Sequence, residues 1–232
     1  MLISHTHKFI FTKTTKTAST SVEVYFERYC LGIYDQLLYD SNSIKEYRNE
    51  YTSEAGIIGF RGEKQDRIKN NPKWYHHMSA KLIKDLIGDH FWNNYFKFCV
   101  IRNPYEKVLS AFFHLYVSRN QLLDKDQNHL ISLFRKWIRS SDSLKPDRDK
   151  YFIDGTYVMD EIIRYENLNN DIRKICEHLN VSFEPHRIPT FKSQYRTVGS
   201  SIYEFYDKKS EEIVFNRFQV EFSFFNYDRM VI

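Results

Sequence analysis

Two short apolar runs organise the first half of the chain, and each gives way to a polar turn and then to a helical repeat. Lys8-Phe9-Ile10-Phe11 reads as a buried strand. Ten residues of Thr, Ser, Ala and Lys follow, from Thr12 to Ser21. Val22, Val24, Tyr25, Phe26 and Tyr29 then mark a helix, with Thr20 or Ser21 as the expected cap and Glu23 in the first turn. The second run, Phe96 to Ile101, stops at Arg102-Asn103-Pro104. Pro104 suits the first position of a helix carrying Val108, Leu109, Phe112 and Leu115.

Between them, residues 35–75 are irregular, punctuated by Gly56, Gly59, Gly62 and Pro72. A helix capped by Ser79 and closed by Gly88 carries Leu82, Ile83, Leu86 and Ile87 at a 3.6-residue spacing. Further on, the pattern predicts a helix over Leu130–Ile138, a polar loop over Asp142–Lys150 and a strand over Tyr157–Arg164. A helix over Asp171–Leu179 and a last one over Ser210–Phe222 complete it. Strands alternating with helices predict an α/β fold, one domain over residues 1–232, with a central, mostly parallel sheet flanked by helices.

Composition narrows the class. The 232 residues are 42% hydrophobic and 17% aromatic, enough for a packed core and far from a disordered or low-complexity chain. No stretch of about 18 apolar residues offers a membrane span. The N-terminus lacks a basic segment followed by a long apolar one, so a cytoplasmic location is expected. Cys30, Cys99 and Cys176 are too few and too scattered for a disulfide framework or a zinc site, and Cys99, in an apolar run, and Cys176, on a helix face, read as buried thiols. The net charge of +4 is mild, and Lys and Arg are dispersed, which argues against nucleic acid as a partner. It suits a pocket for a multiply charged anion.

The loop Lys16-Thr17-Ala18-Ser19-Thr20-Ser21 lies where α/β folds bind phosphate, between a strand and a helix N-terminus. Small residues admit a close backbone approach, hydroxyls add donors and Lys16 adds a point charge. Helix capping alone is the competing explanation for so many Ser and Thr residues. The loop is not the nucleoside-triphosphate motif GxxxxGK[ST], because it has no glycine. The second strand ends in Arg102 instead of a magnesium-holding aspartate, and an arginine fork suits a terminal phosphate. Ser110 lies about two turns further on.

Together these motifs resemble the sulfotransferases that use 3′-phosphoadenosine 5′-phosphosulfate (PAPS). Lys16 to Ser21 is similar to their 5′-phosphosulfate loop, and Arg102-Asn103-Pro104-Tyr105 through Ser110-Ala111-Phe112 to their 3′-phosphate motif. His76-His77-Met78-Ser79-Ala80, Arg164-Tyr165-Glu166-Asn167-Leu168 and Phe225-Asn226-Tyr227 extend the likeness to the family-2, carbohydrate-type branch. Many relatives carry proline before the loop lysine and glycine after Thr-Ala; here these positions are Thr15 and Ser19.

The resemblance implies a P-loop-like sulfotransferase fold and sulfuryl transfer from PAPS to an acceptor hydroxyl, with 3′,5′-ADP as product and no metal. It implies that Lys16 stabilises the leaving group while Thr17, Ala18, Ser19, Thr20 and Ser21 bind the 5′-phosphosulfate. Arg102 and Ser110 then hold the 3′-phosphate, and Arg196 approaches the nucleotide. Histidine has a pKa suited to a base, and His77 is the first candidate, with His76 beside it. Trp74, Tyr75 and Phe60 are candidates to stack on adenine or a sugar. The acceptor class it favours is a carbohydrate or similar polar compound. A nucleotide phosphotransferase and a non-catalytic nucleotide-binding protein are the alternatives. Oligomeric state is not legible.

Overall fold

A computed structural model describes residues 1–32, 35, 48–117, 119–120, 122, 125–140, 145–191 and 201–232. These residues form two compact units, Met1–Ile101 with Asp147–Phe191, and Arg102–Pro146 with Lys192–Ile232.

The first unit is built on a mixed sheet of β1 (Leu2–Ser4), β2 (Phe9–Thr12), β3 (Tyr51–Thr52), β4 (Gly56–Ile58), β5 (Phe96–Ile101) and β8 (Glu161–Arg164). Among the described residues the strand order is β3-β4-β1-β2-β5-β8. The α/β class is as expected, but the sheet is only half parallel. β2 pairs in parallel with β5, Phe9 opposite Phe96, and β5 with β8, Phe98 opposite Glu161. β1 pairs antiparallel with both β2 and β4, and β3 with β4. The expected strand over Tyr157–Arg164 divides: Thr156–Tyr157 (β7) pairs with Phe152–Ile153 (β6) in a separate hairpin.

Helices α1 (Ser19–Glu27), α2 (Lys64–Asn70), α3 (Ala80–Ile87), α4 (Asp89–Asn94), α7 (Arg148–Tyr151) and α8 (Leu168–His178) belong to this unit. Phe26 of α1 packs edge-on against Phe98 of β5 at 5.2 Å and against Phe9 of β2 at 5.9 Å. All three are fully buried, each worth about 1.5–3 kcal/mol of transfer free energy. That packing fixes α1 over the sheet. Cys30, Cys99 and Cys176 are buried free thiols.

The second unit contains α5 (Pro104–Ala111), a π-helical turn (Phe112–Val117), α6 (Gln127–Ser140), α9 (Ile202–Phe205), α10 (Lys208–Arg217) and α11 (Gln219–Phe224). The helix expected over Ser210–Phe222 is thus two helices. Pro104 is at the first turn of α5, as expected, and the Asn103 side chain accepts from the Tyr105 N–H at 2.9 Å. Tyr105 donates its hydroxyl to buried Glu211 at 2.5 Å, and Arg229 closes on the same carboxylate at 2.9 and 2.8 Å. This ties α5 to α10 and the C-terminal segment. Among the described residues no helix is long and apolar enough to cross a membrane.

Candidate functional site

The loop from Lys13 to Ala18 leaves β2 at the carboxyl edge of the parallel half of the sheet, where α/β folds place ligands. Its hydroxyls close on the loop itself. Thr14 Oγ1 donates to the Val100 carbonyl of β5 at 2.6 Å. With that hydrogen committed, Thr17 Oγ1 is the donor in its 2.7 Å contact with Thr14 Oγ1. Ser19 Oγ donates to the Thr14 carbonyl at 2.5 Å. The hydroxyl hydrogens of Thr17 and Ser19, assigned to phosphate by the resemblance, therefore go to the Thr14 hydroxyl and the Thr14 carbonyl and brace the loop.

The backbone is what remains for an anion. Helix α1 begins at Ser19 with Ala18 in the cap position, two or three residues earlier than the expected cap. The Ala18 side chain cannot accept from the first-turn N–H groups; its carbonyl accepts from Ser21 N at 2.9 Å and Val22 N at 3.3 Å, which leaves the Ser19 and Thr20 N–H groups and the positive end of the helix dipole for an external acceptor. Lys16 (φ 61°) and Ala18 (φ 60°) are both left-handed around a Thr17 that is not, an alternation that turns successive N–H groups to one side. Two such non-glycine residues cost about 1–3 kcal/mol each and must be held there by their surroundings. Lys16 is partly buried, as are Ala18 and Thr20.

Behind the loop lies a cluster of charge that the sequence reading missed. Lys13, only 3% exposed, donates to Glu23 Oε2 at 2.6 Å. Glu23, which was expected in the first turn of α1, is in its second turn and fully buried. Arg61 bridges Glu23 at 3.0 Å and Glu27 at 2.9 Å, Arg48 reaches Glu27 at 3.3 Å, and the Met1 amino group reaches Glu23. Burial alone would raise the Glu23 pKa, but Lys13, the amino group and Arg61 hold it well below the usual carboxylate range.

His77 is held against this loop. Its Nδ1 lies 3.0 Å from the Lys13 carbonyl oxygen. A carbonyl can only accept, so Nδ1 carries the proton and Nε2 is the unprotonated nitrogen. Burial, then the Lys13 charge, then His76 depress the His77 pKa to about 3. Burial and Lys13 likewise take His76 to about 4. The two rings meet edge-on at 4.8 Å, and His76 lies over Phe60 with its own Nδ1 buried and unpartnered. Ser79 caps α3 as expected, accepting from Leu82 N at 3.2 Å.

Of the stacking candidates, Phe60 and Trp74 are 4% and 3% exposed and serve the core, which corrects that expectation. Tyr75 is partly buried under the Arg67 guanidinium.

Asp147 was not foreseen. It lies within the segment read as a polar loop, is 5% exposed, and takes two hydrogen bonds from Thr15: N to Oδ2 at 2.8 Å and Oγ1 to Oδ1 at 3.0 Å.

In the second unit, Arg102 is the first residue after β5, with its side chain 9% exposed and Nη2 3.0 Å from Glu106 Oε2 one turn on. Ser110 is partly buried in the last turn of α5. Arg196, with Lys192 and Ser193, lies outside the described residues. Among the described residues no three His, Cys, Asp or Glu side chains group as metal ligands.

A protein of Archaeoglobus fulgidus, described only as uncharacterised, is 32% identical over 111 residues, 46% of this chain and 86% of that protein. No solved structure matches the chain. A sequence model described as "Sulfotransferase family" matches residues 1–228, a span that takes in the left-handed lysine loop, His77 and the Arg102 turn; the chain belongs to the sulfotransferase family.

Proposed function

We propose that this chain transfers a sulfuryl group from PAPS to an acceptor hydroxyl, on a carbohydrate or similar polar compound. The observation that carries the proposal is the left-handed loop at Lys16–Ala18. It sets a lysine beside uncapped N–H groups of a helix start, in a chain of the sulfotransferase family. These groups fit a phosphosulfate: the donors are backbone and fixed, and the Ala18 side chain is only a methyl. PAPS supplies the activated sulfuryl group on a phosphosulfate anhydride.

The residues divide the work by charge. Lys16 meets the oxygen that bridges sulfur and phosphorus, where negative charge grows as the S–O bond breaks. A cation there favours the transition state over the ground state. The N–H groups at the start of α1, with Thr20 and Ser21, receive the 5′-phosphate oxygens. Arg102 and Ser110 receive the 3′-phosphate, with Glu106 as the partner Arg102 then shares.

His77 presents Nε2 to the acceptor. With its pKa near 3 it is neutral at any physiological pH and a weak base toward a free alcohol. Its first task is to orient the hydroxyl by accepting a hydrogen bond. It takes the proton once the new O–S bond has made that proton strongly acidic. One S–O bond forms, one breaks, the proton ends on Nε2 and 3′,5′-ADP leaves.

The test is transfer of labelled sulfate from PAPS onto a panel of glycans, lipids and small alcohols, with Lys16→Ala beside the unmodified chain. Label appearing on a glycan or polyol and lost with Lys16→Ala supports the reading. Binding of PAPS with no transfer to any hydroxyl would indicate a nucleotide-binding protein without the activity.

A further inference from the structure

We infer that Asp147 is the positioning residue of the lysine loop: its two carboxylate oxygens grip Thr15 and so hold Lys16 and Ala18 in the left-handed turn that faces the anion. The inference rests on the donor reading above and adds to it a residue 132 positions away from the loop in sequence.

Three observations carry it. Both donors of Thr15 are committed to one carboxylate, at 2.8 and 3.0 Å, so the backbone immediately before Lys16 is fixed at two points. Asp147 is almost fully buried, so the contact is shielded from competing water and the carboxylate is stiffly held. The strained residues begin one position later, at Lys16, and a strained turn persists only where its neighbours over-determine it. Thr14 secures the loop on the side of β5 and Asp147 secures it on the side of α7, leaving the nest between two anchors.

The second consequence is electrostatic. Asp147 is one of the charges felt by the His77 ring, and the one among them that favours its protonated form, against Lys13 and His76. One carboxylate thus braces the lysine and offsets the cation that weakens the base.

The experiment compares two nucleotides. Adenosine 3′-phosphate lacks the 5′-phosphate and engages only the Arg102 and Ser110 motif, whereas 3′,5′-ADP also needs the loop. Affinities of both are measured by calorimetry for the unmodified chain and for Asp147→Ala, Asp147→Asn, Thr15→Val and Thr15→Ser. Asp147→Ala is expected to cut the preference for 3′,5′-ADP by about tenfold or more, as loss of two charge-assisted hydrogen bonds implies. Asparagine can accept from Thr15 N and donate to Thr15 Oγ1, so Asp147→Asn should stay within about threefold of the unmodified chain. Thr15→Ser should match it, and Thr15→Val, lacking one arm, should lose about threefold or more. Adenosine 3′-phosphate should bind all of them alike, which a general loss of structure would not allow.

Should Asp147→Ala keep the full preference, or should Thr15→Val keep it where Asp147→Ala does not fold, the positioning role is wrong and the donor reading stands. Should the unmodified chain itself show no preference, the donor reading falls and this one with it.

Discussion

Replacing Glu23 by Gln tests whether the charge buried behind the loop is balanced by that residue. Of the four most buried side chains in the cluster, Lys13 and Arg61 carry two positive charges, and Glu23 and Glu27 two negative ones. Exposures of 3%, 4%, 0% and 2% leave almost no solvent to screen them. Glutamine preserves the shape but removes the negative charge that Lys13, Arg61 and the buried Met1 amino group share. Breaking a buried pair from one side costs about 3–5 kcal/mol. For a chain of this size that is a fall in Tm of roughly 6–20 °C, at about 2–4 °C per kcal/mol.

The pH dependence has a definite sign. In the unmodified chain the folded Glu23 pKa is depressed, so its contribution is complete above the unfolded value near 4.5 and is lost as the pH falls through the folded one. In Glu23→Gln, Lys13 loses its counter-ion, and its pKa, already lowered by burial, falls further. The unfolded chain then binds more protons than the folded one, so the variant regains stability as the pH rises from neutral toward the ordinary lysine value. Urea unfolding followed by tryptophan fluorescence across pH 5 to 9 reads both effects. Asp85→Asn is the control: the Lys81–Asp85 pair is 59% and 52% exposed, and its loss should stay within about 0.5 kcal/mol. A Glu23→Gln chain within about 1 kcal/mol of the unmodified one, with no pH dependence of its own, would refute the reasoning.

Lys16→Ala should lower kcat by about 10²- to 10³-fold at saturating donor, measured by sulfate transfer, because it removes a charge that acts on the leaving group. Nitrogen NMR of histidine-labelled protein should show His77 as the neutral Nδ1–H tautomer at pH 7, still uncharged at pH 5, in line with a pKa near 3. An Nε2–H ring would remove His77 as the acceptor of the proton. Asp207 caps α10 through Ser210. Burial opposes its ionisation, but hydrogen bonds from Ser210 and Arg139 outweigh that and hold its pKa at about 2. Asp207→Ala should cost about 1 kcal/mol in thermal unfolding at pH 7 and progressively less as the pH falls from about 4 toward 2.

What the sequence made legible was local. Phe9-Ile10-Phe11 and Phe96 to Ile101 are apolar runs with polar stops, so β2, β5 and the turns after them were readable, as were Pro104 at the start of α5 and Ser79 capping α3. The antiparallel half of the sheet was not, because Leu2–Ser4, Tyr51–Thr52 and Gly56–Ile58 are too short to show a period of two. The cap of α1 was misplaced because a Ser or Thr normally fills that position, and here a left-handed Ala18 does. The ionic cluster had one visible trace: Glu23 and Glu27 share a helix face, one turn apart, among Val22, Val24, Tyr25 and Phe26. Acids amid buried residues call for cations, but nothing along the chain points to Arg61 or Lys13 as the partners. Asp147 gave no signal, since its partner, Thr15, lies 132 positions away.

The central claim is that the nucleotide is recognised by its 3′-phosphate. Calorimetric titration of the chain with 3′,5′-ADP and with ADP, in EDTA, tests it most directly. We predict that 3′,5′-ADP binds at least tenfold more tightly without metal, and that Arg102→Ala removes most of the difference, as loss of a charge-assisted contact implies. Equal affinity for the two nucleotides, tighter binding of ADP, or binding that appears only with added magnesium would contradict the account.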